Sequence, residues 1–442
     1  MEVGFSVRSK IALLAYLSRA NRYSLSAILA ALDLRNIPID IYIARNPESL
    51  IDSLSIMKSK YEKIIALMSF MTPQLEEVRD LVRKVKSFKN TLIIAGGPHP
   101  SADPVGTILK LGIDYAVVGE GEETICNIIE GLIENQDILS TRGIAYRDNG
   151  KIILRQRRSR IDINQYPPFA YTRNIYGPIE IMRGCPWGCK YCQVTYIHGP
   201  TPRYRNIENI LIWCKLMLTR GLRDLRFIAP NSLAYGSSNG KKPSYSVLEE
   251  LLFKLNNMAE KYNGKIFFGT FPSEVRPDSV DEECAKILRK YVYNKRIIIG
   301  AQSGSDRILS NIGRSHSVDD VIRAVEILRS YGFQVDVDFI FGLPGESEED
   351  IELTLQVLKR LVNLGAKIHA HTFLPLPGTP FAESEPGVVP VKIRKFLMRV
   401  IGTGKVYGQW EMQEKLANNI KRWRDEGLIL TGRNLAKYLR VL

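Results

Sequence analysis

The segment Arg183-Gly184-Cys185-Pro186-Trp187-Gly188-Cys189-Lys190-Tyr191-Cys192 constrains this chain more than any other. It sets three thiols within eight residues, three and then two residues apart, in a loop punctuated by two glycines and a proline. Thiolates on spacers that short can aim at one point and hold three irons of a cubane iron–sulfur cluster, because each iron takes one soft ligand. The fourth iron is then open, and an open position separates a reactive metal centre from a structural one. The competing reading is a structural zinc site completed by Cys214 or His198. Such sites usually take paired knuckles, and the chain has no second Cys-x-x-Cys. Cys214 also falls in the helical pattern Ile207-Ile210-Leu211-Cys214-Leu218, which marks a core residue.

With Tyr191 directly before the last cysteine, the segment resembles the signature of the radical SAM superfamily. The resemblance implies a 4Fe-4S cluster on Cys185, Cys189 and Cys192, with S-adenosylmethionine (SAM) chelating the open iron. It implies that an electron from the cluster cleaves SAM to methionine and a 5′-deoxyadenosyl radical, and that an electron donor such as ferredoxin or flavodoxin supplies it. Gly300-Ala301-Gln302-Ser303-Gly304-Ser305-Asp306 resembles the family's Gly-x-Glu-Ser-Gly segment, with Gln302 where an acid is common. Gln302 or Ser303 is then expected on the SAM ribose. Phe339-Ile340-Phe341-Gly342-Leu343-Pro344-Gly345-Glu346 resembles the segment whose backbone cups the adenine, which adds Ile340 and Gly342, beside Tyr191, to the expected SAM contacts.

At 442 residues the chain has room for two or three domains. No apolar run reaches the length of a membrane span. The amino terminus, Met1 to Lys10, lacks a signal-peptide pattern, so a cytoplasmic location is expected. Cys126, Cys214 and Cys284 lie in helix-like patterns as buried thiols, which leaves no disulfide framework and fits a reducing compartment. Of the formal charge of +14, Val391 to Leu442 carries +8. A basic tail can meet nucleic acid, although the same residues also suit the solvated faces of helices, and no nucleic-acid module is recognisable there.

Residues 1–140 alternate strand candidates with helical patterns. The strands are Ile11–Tyr16, Ile39–Ile43, Ile64–Ser69, Leu92–Ala95 and Tyr115–Val118. This predicts a doubly wound, Rossmann-like parallel sheet with its ligand loops at the carboxyl ends of the strands. Those ends carry Ser18-Arg19-Ala20-Asn21-Arg22-Tyr23-Ser24, Ser69-Phe70-Met71-Thr72-Pro73, and Gly96-Gly97-Pro98-His99-Pro100-Ser101. Together with Val118-Gly119-Glu120-Gly121-Glu122-Glu123-Thr124 they resemble the cobalamin-binding domain attached to one class of radical SAM enzymes. The resemblance implies cobalamin contacts at Asn21, Tyr23, Ser69, Gly96, Gly97, Pro98 and Glu120, with His99 shaping its loop. The best-known cobalamin domains bind cobalt from below through a histidine after the first strand, but this chain has none before His99. The corrinoid is therefore expected to lack a lower histidine, which should ease release of a bound methyl as a radical. The alternative is a domain of that shape without a corrinoid.

Residues 141–178 read as a joint. Gly143 to Leu154 form a hairpin around Asn149-Gly150, followed by the basic run Arg155 to Arg160 and by Tyr166-Pro167-Pro168-Phe169. Residues 179–385 repeat strand and helix six times, through Ile179–Met182, Leu225–Ala229, Ile266–Thr270, Ile297–Gln302, Val335–Phe341 and Ala370–Leu374. That predicts a partial (β/α)6 TIM-type barrel with its chemistry at the carboxyl ends of the strands, where the cysteine loop lies. Arg276 is a candidate partner of the SAM carboxylate and Glu274 of the substrate, while Ala229-Pro230-Asn231-Ser232-Leu233 departs from the acids often found in the family. Of His369 and His371 only one is expected to face the barrel mouth, with His371 as a candidate for catalysis. Pro375-Leu376-Pro377-Gly378-Thr379-Pro380 resembles the structural close of the family barrel.

Residues 386–442 are expected to form a small, basic helical extension over Ile393–Val400 and Met412–Arg424, with Trp410 and Trp423 packing it onto the barrel or covering its entrance. The tail lacks the small β-barrel, and the chain the second cysteine triad, of tRNA methylthiotransferases. Most closely the chain resembles an archaeal-type subgroup of the cobalamin-domain radical SAM superfamily, which implies no particular substrate. The expectation is an enzyme that uses both cofactors to methylate or rearrange an unactivated carbon. One SAM would remethylate the corrinoid and a second would yield the radical. The alternatives are a cobalamin-independent radical SAM enzyme acting on RNA and a non-catalytic, metal-stabilised binding protein.

Overall fold

The computed structural model describes residues 10–156 and 159–442. The charged stretch up to residue 9, and Arg157 and Arg158 of the basic run, lie outside the described residues. The chain divides into two units. One takes the chain up to Ile161 with Phe169–Gly177 and Trp423–Leu442, the other Asp162–Pro168 and Pro178–Arg422.

The first unit is built on β1 (Ile11–Tyr16), β2 (Asp40–Ala44), β3 (Lys63–Ser69), β4 (Thr91–Gly96) and β5 (Tyr115–Val117). β1, β3 and β4 are nearly continuous apolar runs, as strands covered on both faces must be, and their Ala12–Ala15, Ile64–Met68 and Ile93–Ala95 stretches are almost wholly buried. All five pair in parallel in the order β5-β4-β3-β1-β2, so the winding reverses between β1 and β3. Ligands of open α/β sheets bind outside the carboxyl ends at such a reversal.

Three features depart from the sequence reading. The expected joint is not one connector: β6 (Ile144–Asp148) and β7 (Lys151–Leu154) extend the sheet antiparallel to β5, and the residues after them are shared between the units. The helical tail does not stay apart either. Its last strand, Leu439–Val441, pairs in parallel with β7, and Leu430, Leu435, Tyr438 and Leu439 pack onto Val105, Ile152 and Leu154. Trp423 accordingly belongs to the first unit, whereas Trp410 is buried in the second.

The second unit opens with β8 (Ile179–Glu180), β9 (Met182–Arg183) and β10 (Arg203–Tyr204), the last two forming a short antiparallel pair that brackets the cysteine loop. β11 (Asp224–Ile228) and β12 (Lys265–Phe267) pair in parallel with β8 in the order β12-β11-β8. A bridge from Val275 to Ile299 joins that group to β13 (Arg296–Gln302), and the sheet runs on through β14 (Gln334–Phe341) and β15 (Lys367–Thr372). These are the six expected barrel strands. A seventh, β16 (Val406–Gly408), pairs in parallel with β15 from within the expected helical extension. Helices Val318–Ser330 and Glu348–Asn363 cover β14 and β15 on the face carrying Val335, Val337, Phe339, Ile368 and Ala370.

Candidate active site

The cysteine loop leaves β9 through Gly184, whose φ of +91° suits glycine and whose missing Cβ would lie 2.6 Å from Thr201 O. Cys185 N donates to Gly199 O at 3.0 Å, Lys190 N to Ile312 O at 2.9 Å, and Cys192 N to Cys189 O at 3.0 Å, so the loop is pinned on both sides. All three thiols are free, Cys189 buried and the other two partly so. Burial raises the Cys185 thiol and pushes Cys192 up to about 12. Thiols in that state become thiolates only when ligation to a metal offsets the charge. Cys214, by contrast, is fully buried in the core face of helix Ile207–Thr219, and Cys126 and Cys284 are equally buried.

Two arginines face the loop. Arg276 stacks over Trp187 at 3.8 Å and chelates Asp278 at 3.0 and 3.2 Å, yet its buried Nη1 has no partner. Asn231 props this segment by accepting from Arg276 N at 3.3 Å and donating to Ser279 at 2.8 Å, which gives the Asn-Ser departure after β11 a structural use. Arg314 reaches Cys189 Sγ at 3.8 Å, Tyr191 Oη at 3.5 Å and Gly300 O at 2.5 Å, and its buried Nε is also unpartnered. Buried guanidinium N–H groups without acceptors beside three thiols fit an anionic group bound there, as a cluster with a chelating carboxylate would be.

The expected SAM segments converge on the same loop. Gln302 ends β13 at a register shift with φ of +76°, a left-handed conformation unusual for a side-chain-bearing residue and typical of functional sites. Ser303 is buried and its Oγ accepts from Ser305 N at 3.2 Å, so that hydroxyl shapes the turn. Ile340 and Tyr191 pack on one cluster of Ile308, Leu309, Ile312, Leu343 and Phe373. Gly342 serves the chain's own packing: a Cβ there would lie 2.4 Å from Val388 N. Glu346 closes this loop by accepting from Leu343 N at 3.1 Å, and burial raises it to about 7.

In the first unit the winding reversal is closed by Asn21, whose Nδ2 donates to Tyr16 O and to Ser69 O, both at 2.9 Å, while its Oδ1 accepts from Ser18 N at 2.8 Å. Asn21 thus builds the crevice and has no donor to spare. Ser69 Oγ shares a hydrogen bond with Ser24 Oγ at 2.8 Å. Gly97 has φ of +97°, and its absent Cβ would meet Ser69 Oγ at 2.7 Å and Phe70 O at 2.9 Å; Gly96 pairs in register with Ser69, and Pro98 opens the short helix Pro98–Ala102 that follows. His99 is buried against Phe70 and bonds Thr72 at 3.0 Å, the loop-shaping role expected of it. Tyr23 is exposed at the next helix, and Glu120 accepts from Ile161 N at 3.0 Å. The small residues lining this edge, and a buried Ser18 Oγ without a partner, fit a large polar ligand.

Residues 179–358 match the model of the Radical SAM superfamily, and residues 23–129 that of the B12 binding domain. The chain carries a radical SAM domain and a B12-binding domain. An uncharacterized protein of Methanocaldococcus jannaschii is 27% identical over 383 residues, 76% of this chain and 73% of its own length. The threonylcarbamoyladenosine tRNA methylthiotransferase MtaB of Thermotoga maritima is 28% identical over 225 residues, 50% of this chain and 48% of that protein. The solved structure of the radical SAM methyltransferase TsrM of Kitasatospora setae, with cobalamin and a 4Fe-4S cluster bound, shares the fold at a TM-score of 0.66 and 15% identity, over 84% of this chain and 74% of that one. A radical SAM domain works with a 4Fe-4S cluster, SAM and an electron donor, and a B12-binding domain with cobalamin, so the expected cofactors stand.

Sequence reasoning missed Arg314 in the radical SAM domain. It lies twelve residues beyond Gln302, and only the docking of the cysteine loop on residues 312–314 brings it to Cys189. It also misjudged the two histidines. Residues two apart on a strand share a face, so His369 and His371 point the same way, with ring centroids 4.0 Å apart.

Proposed function

We propose that the chain is a radical SAM enzyme that uses cobalamin to methylate or rearrange an unactivated carbon of its substrate. The observation that carries this reading is the presence of both domains in one chain whose fold follows that of a cobalamin-containing radical SAM methyltransferase. When bound, the cluster and SAM supply a 5′-deoxyadenosyl radical, and cobalamin supplies a methyl carrier. Cys185, Cys189 and Cys192 would hold the cluster, and the unpartnered N–H groups of Arg276 and Arg314 would bind the anionic end of SAM. Tyr191 and Ile340 would wall the adenosine, with Gln302 and Ser303 at the ribose and Gly342 shaping the turn beneath it. In the B12-binding domain, Ser69, Gly96, Gly97 and Pro98 would line the corrinoid slot, flanked by Tyr23 and Glu120, and Asn21 would hold the slot open. Ferredoxin or flavodoxin would supply electrons. No helix among the described residues is long and apolar enough to cross a membrane, and reduced thiols suit a cytoplasmic setting.

The test is anaerobic reconstitution with iron, sulfide and hydroxocobalamin, followed by metal analysis, absorption spectra and assay of 5′-deoxyadenosine. Retained cluster and corrinoid, with SAM cleavage lost in Cys189→Ala, are expected. Cleavage without retained cobalamin would refute the two-cofactor reading. A second reading, RNA modification, draws on the likeness to the Thermotoga maritima protein and on the basic tail. In the structure Lys392, Arg394 and Lys421 of that tail already pair with Glu348, Glu352, Glu411, Glu414 and Glu385. Salt-sensitive RNA binding by the apoprotein would favour this second reading.

A further inference from the structure

A guanidinium held away from water is ordinarily paired with a carboxylate, because an ion left unpaired there loses its hydration without compensation. Of the two arginines at the cysteine loop, Arg276 obeys that rule through its chelate with Asp278. Arg314 does not. Its Nη2 donates to Gly300 O at 2.5 Å, its Nη1 lies 3.8 Å from Cys189 Sγ and 3.5 Å from Tyr191 Oη, and its buried Nε has no partner. Among the described residues no carboxylate lies within ion-pair distance of it, and Asp278, whose charge reaches it, is already committed to Arg276. The loop thus faces one guanidinium whose charge is balanced and one whose charge is not.

Gln302 accounts for the difference. β13 shifts register between Gly300 and Gln302, and Gln302 takes its φ of +76° there. Two side chains just downstream hold this bulge: Arg314 through Gly300 O, and His316, whose Nε2 donates to Ala301 O at 3.1 Å. A Cβ at Gly300 would lie 2.6 Å from Gln302 Nε2 and 3.3 Å from Arg314 Nη2, so the Gln302 amide and the guanidinium sit over the same glycine. An acid is common at this position in the family segment that Gly300 to Asp306 resembles. A carboxylate here would face Arg314 and neutralise it. The amide of Gln302 has nearly the same shape and no charge.

Asp338, His369 and His371, whose donor atoms lie within 4.8 Å of one another on β14 and β15, offer no competing cation site. Gln413 Oε1 accepts from Thr372 N at 2.9 Å, which turns its NH2 to His371 Nδ1 at 3.2 Å. An amide NH2 only donates, so Nδ1 accepts, the ring hydrogen sits on Nε2 facing His369 Nδ1 at 3.1 Å, and His371 has no lone pair left for an ion. The uncompensated charge is that of Arg314. A cubane cluster on three thiolates is anionic, and one electron added to it, with no proton taken up, makes it more so. A cation bonded to a ligand sulfur favours the reduced form, because net charge and hydrogen bonds to the sulfurs set the potential of such clusters. We propose that Arg314, left without a counter-charge by Gln302, raises the reduction potential of the cluster and so lets a milder one-electron carrier reduce it. The role presupposes the cluster of the radical SAM reading, but neither bound SAM nor cobalamin.

The experiment uses the full-length protein reconstituted with iron and sulfide without oxygen and without SAM. Iron per chain is measured first, and the cluster is then titrated with dithionite in the presence of redox dyes, its reduced form read by electron paramagnetic resonance. Arg314→Gln and Gln302→Glu are each expected to make the reduction equilibrium at least tenfold less favourable, a midpoint lower by about 59 mV for one electron. Gln302→Met, equally long and uncharged, is expected to stay within about twofold of wild type, which separates charge from shape. Arg314→Lys, which keeps the charge and loses the planar fork, is expected to fall less than Arg314→Gln. Should Arg314→Gln fail to take up the cluster, the Gln302→Glu and Gln302→Met pair still decides. A midpoint in Arg314→Gln or in Gln302→Glu within about twofold of wild type, or one in Gln302→Met as low as in Gln302→Glu, would overturn the assignment. A wild type that binds the cluster and cleaves no SAM would count against the enzyme reading and leave this one standing, since the potential is read with SAM absent.

Discussion

Replacing Gly97 by alanine separates what this glycine does for the fold from what it does for a ligand. Its φ of +97° lies where a side chain is strained, which costs about 1–3 kcal/mol. The new Cβ would sit 2.7 Å from Ser69 Oγ and 2.9 Å from Phe70 O, and overpacking of that kind costs about 1–3 kcal/mol more. Ser69 is buried and its hydroxyl is held by Ser24, so it has little room to yield. A loss of about 2–6 kcal/mol follows, a large share of the roughly 5–15 kcal/mol that stabilises a domain. In urea, at about 2 kcal/mol per molar, the transition of the B12-binding domain in the full chain should move down by about 1–3 M without cobalamin present. Gly97→Ala combined with Ser69→Ala removes the hydroxyl contact but neither the Phe70 O contact nor the strained φ, so it should recover less than half of the loss. An unchanged midpoint in Gly97→Ala would refute the argument and mean that the loop keeps its space for a ligand. Cobalamin retention is therefore better read on Ser69→Val, whose effect on the slot is not confounded by backbone strain.

Cys192→Ala should lose reconstituted cluster iron and its broad visible absorbance, whereas Cys214→Ala should keep both, measured by iron analysis on the same preparations. Arg314→Gln removes the link among Cys189, Tyr191 and Gly300; SAM affinity measured by equilibrium dialysis should fall about tenfold or more, as when supporting groups around metal sites are lost, and a change under twofold would sink that role. For pH, burial lowers His99 to about 3, His316 to about 2 and His371 to about 4, so each contributes stability above about pH 6.5 that drains as the pH falls toward its folded value. Burial raises Asp103, Glu274 and Glu346 to about 7, and each of these contributes in the opposite sense, stabilising as the pH falls from 7 toward 4. The two sets largely cancel in the intact chain. The advantage of wild type over His99→Gln should shrink by about 1.4 kcal/mol per pH unit below pH 6.5, and a pH-independent difference in urea midpoint would show that His99 is not held neutral.

The two-domain α/β plan was legible because parallel strands buried on both faces must be nearly continuous apolar runs, and Ile11–Tyr16 and Ile64–Ser69 are such runs. Short edge strands escaped: Leu439–Val441 and Val406–Gly408 are three residues each, the first pairing with β7 across hundreds of residues and the second with β15, the strand before it, across the helix Val391–Ile401. No local period in three residues can announce that.

By itself the sequence determined the cysteine loop and its chemistry, since ligand spacing within eight residues is a property of the chain alone. It also determined the glycine-rich edge after β4, where backbone conformation demands the residue type. Only the tertiary structure decided that Arg314 reaches Cys189, that Asn21 joins the ends of β1 and β3, and that Gln413 dictates which nitrogen of His371 carries the proton. Each of these is a hydrogen bond between distant segments, and its geometry exists only once the strands are in register.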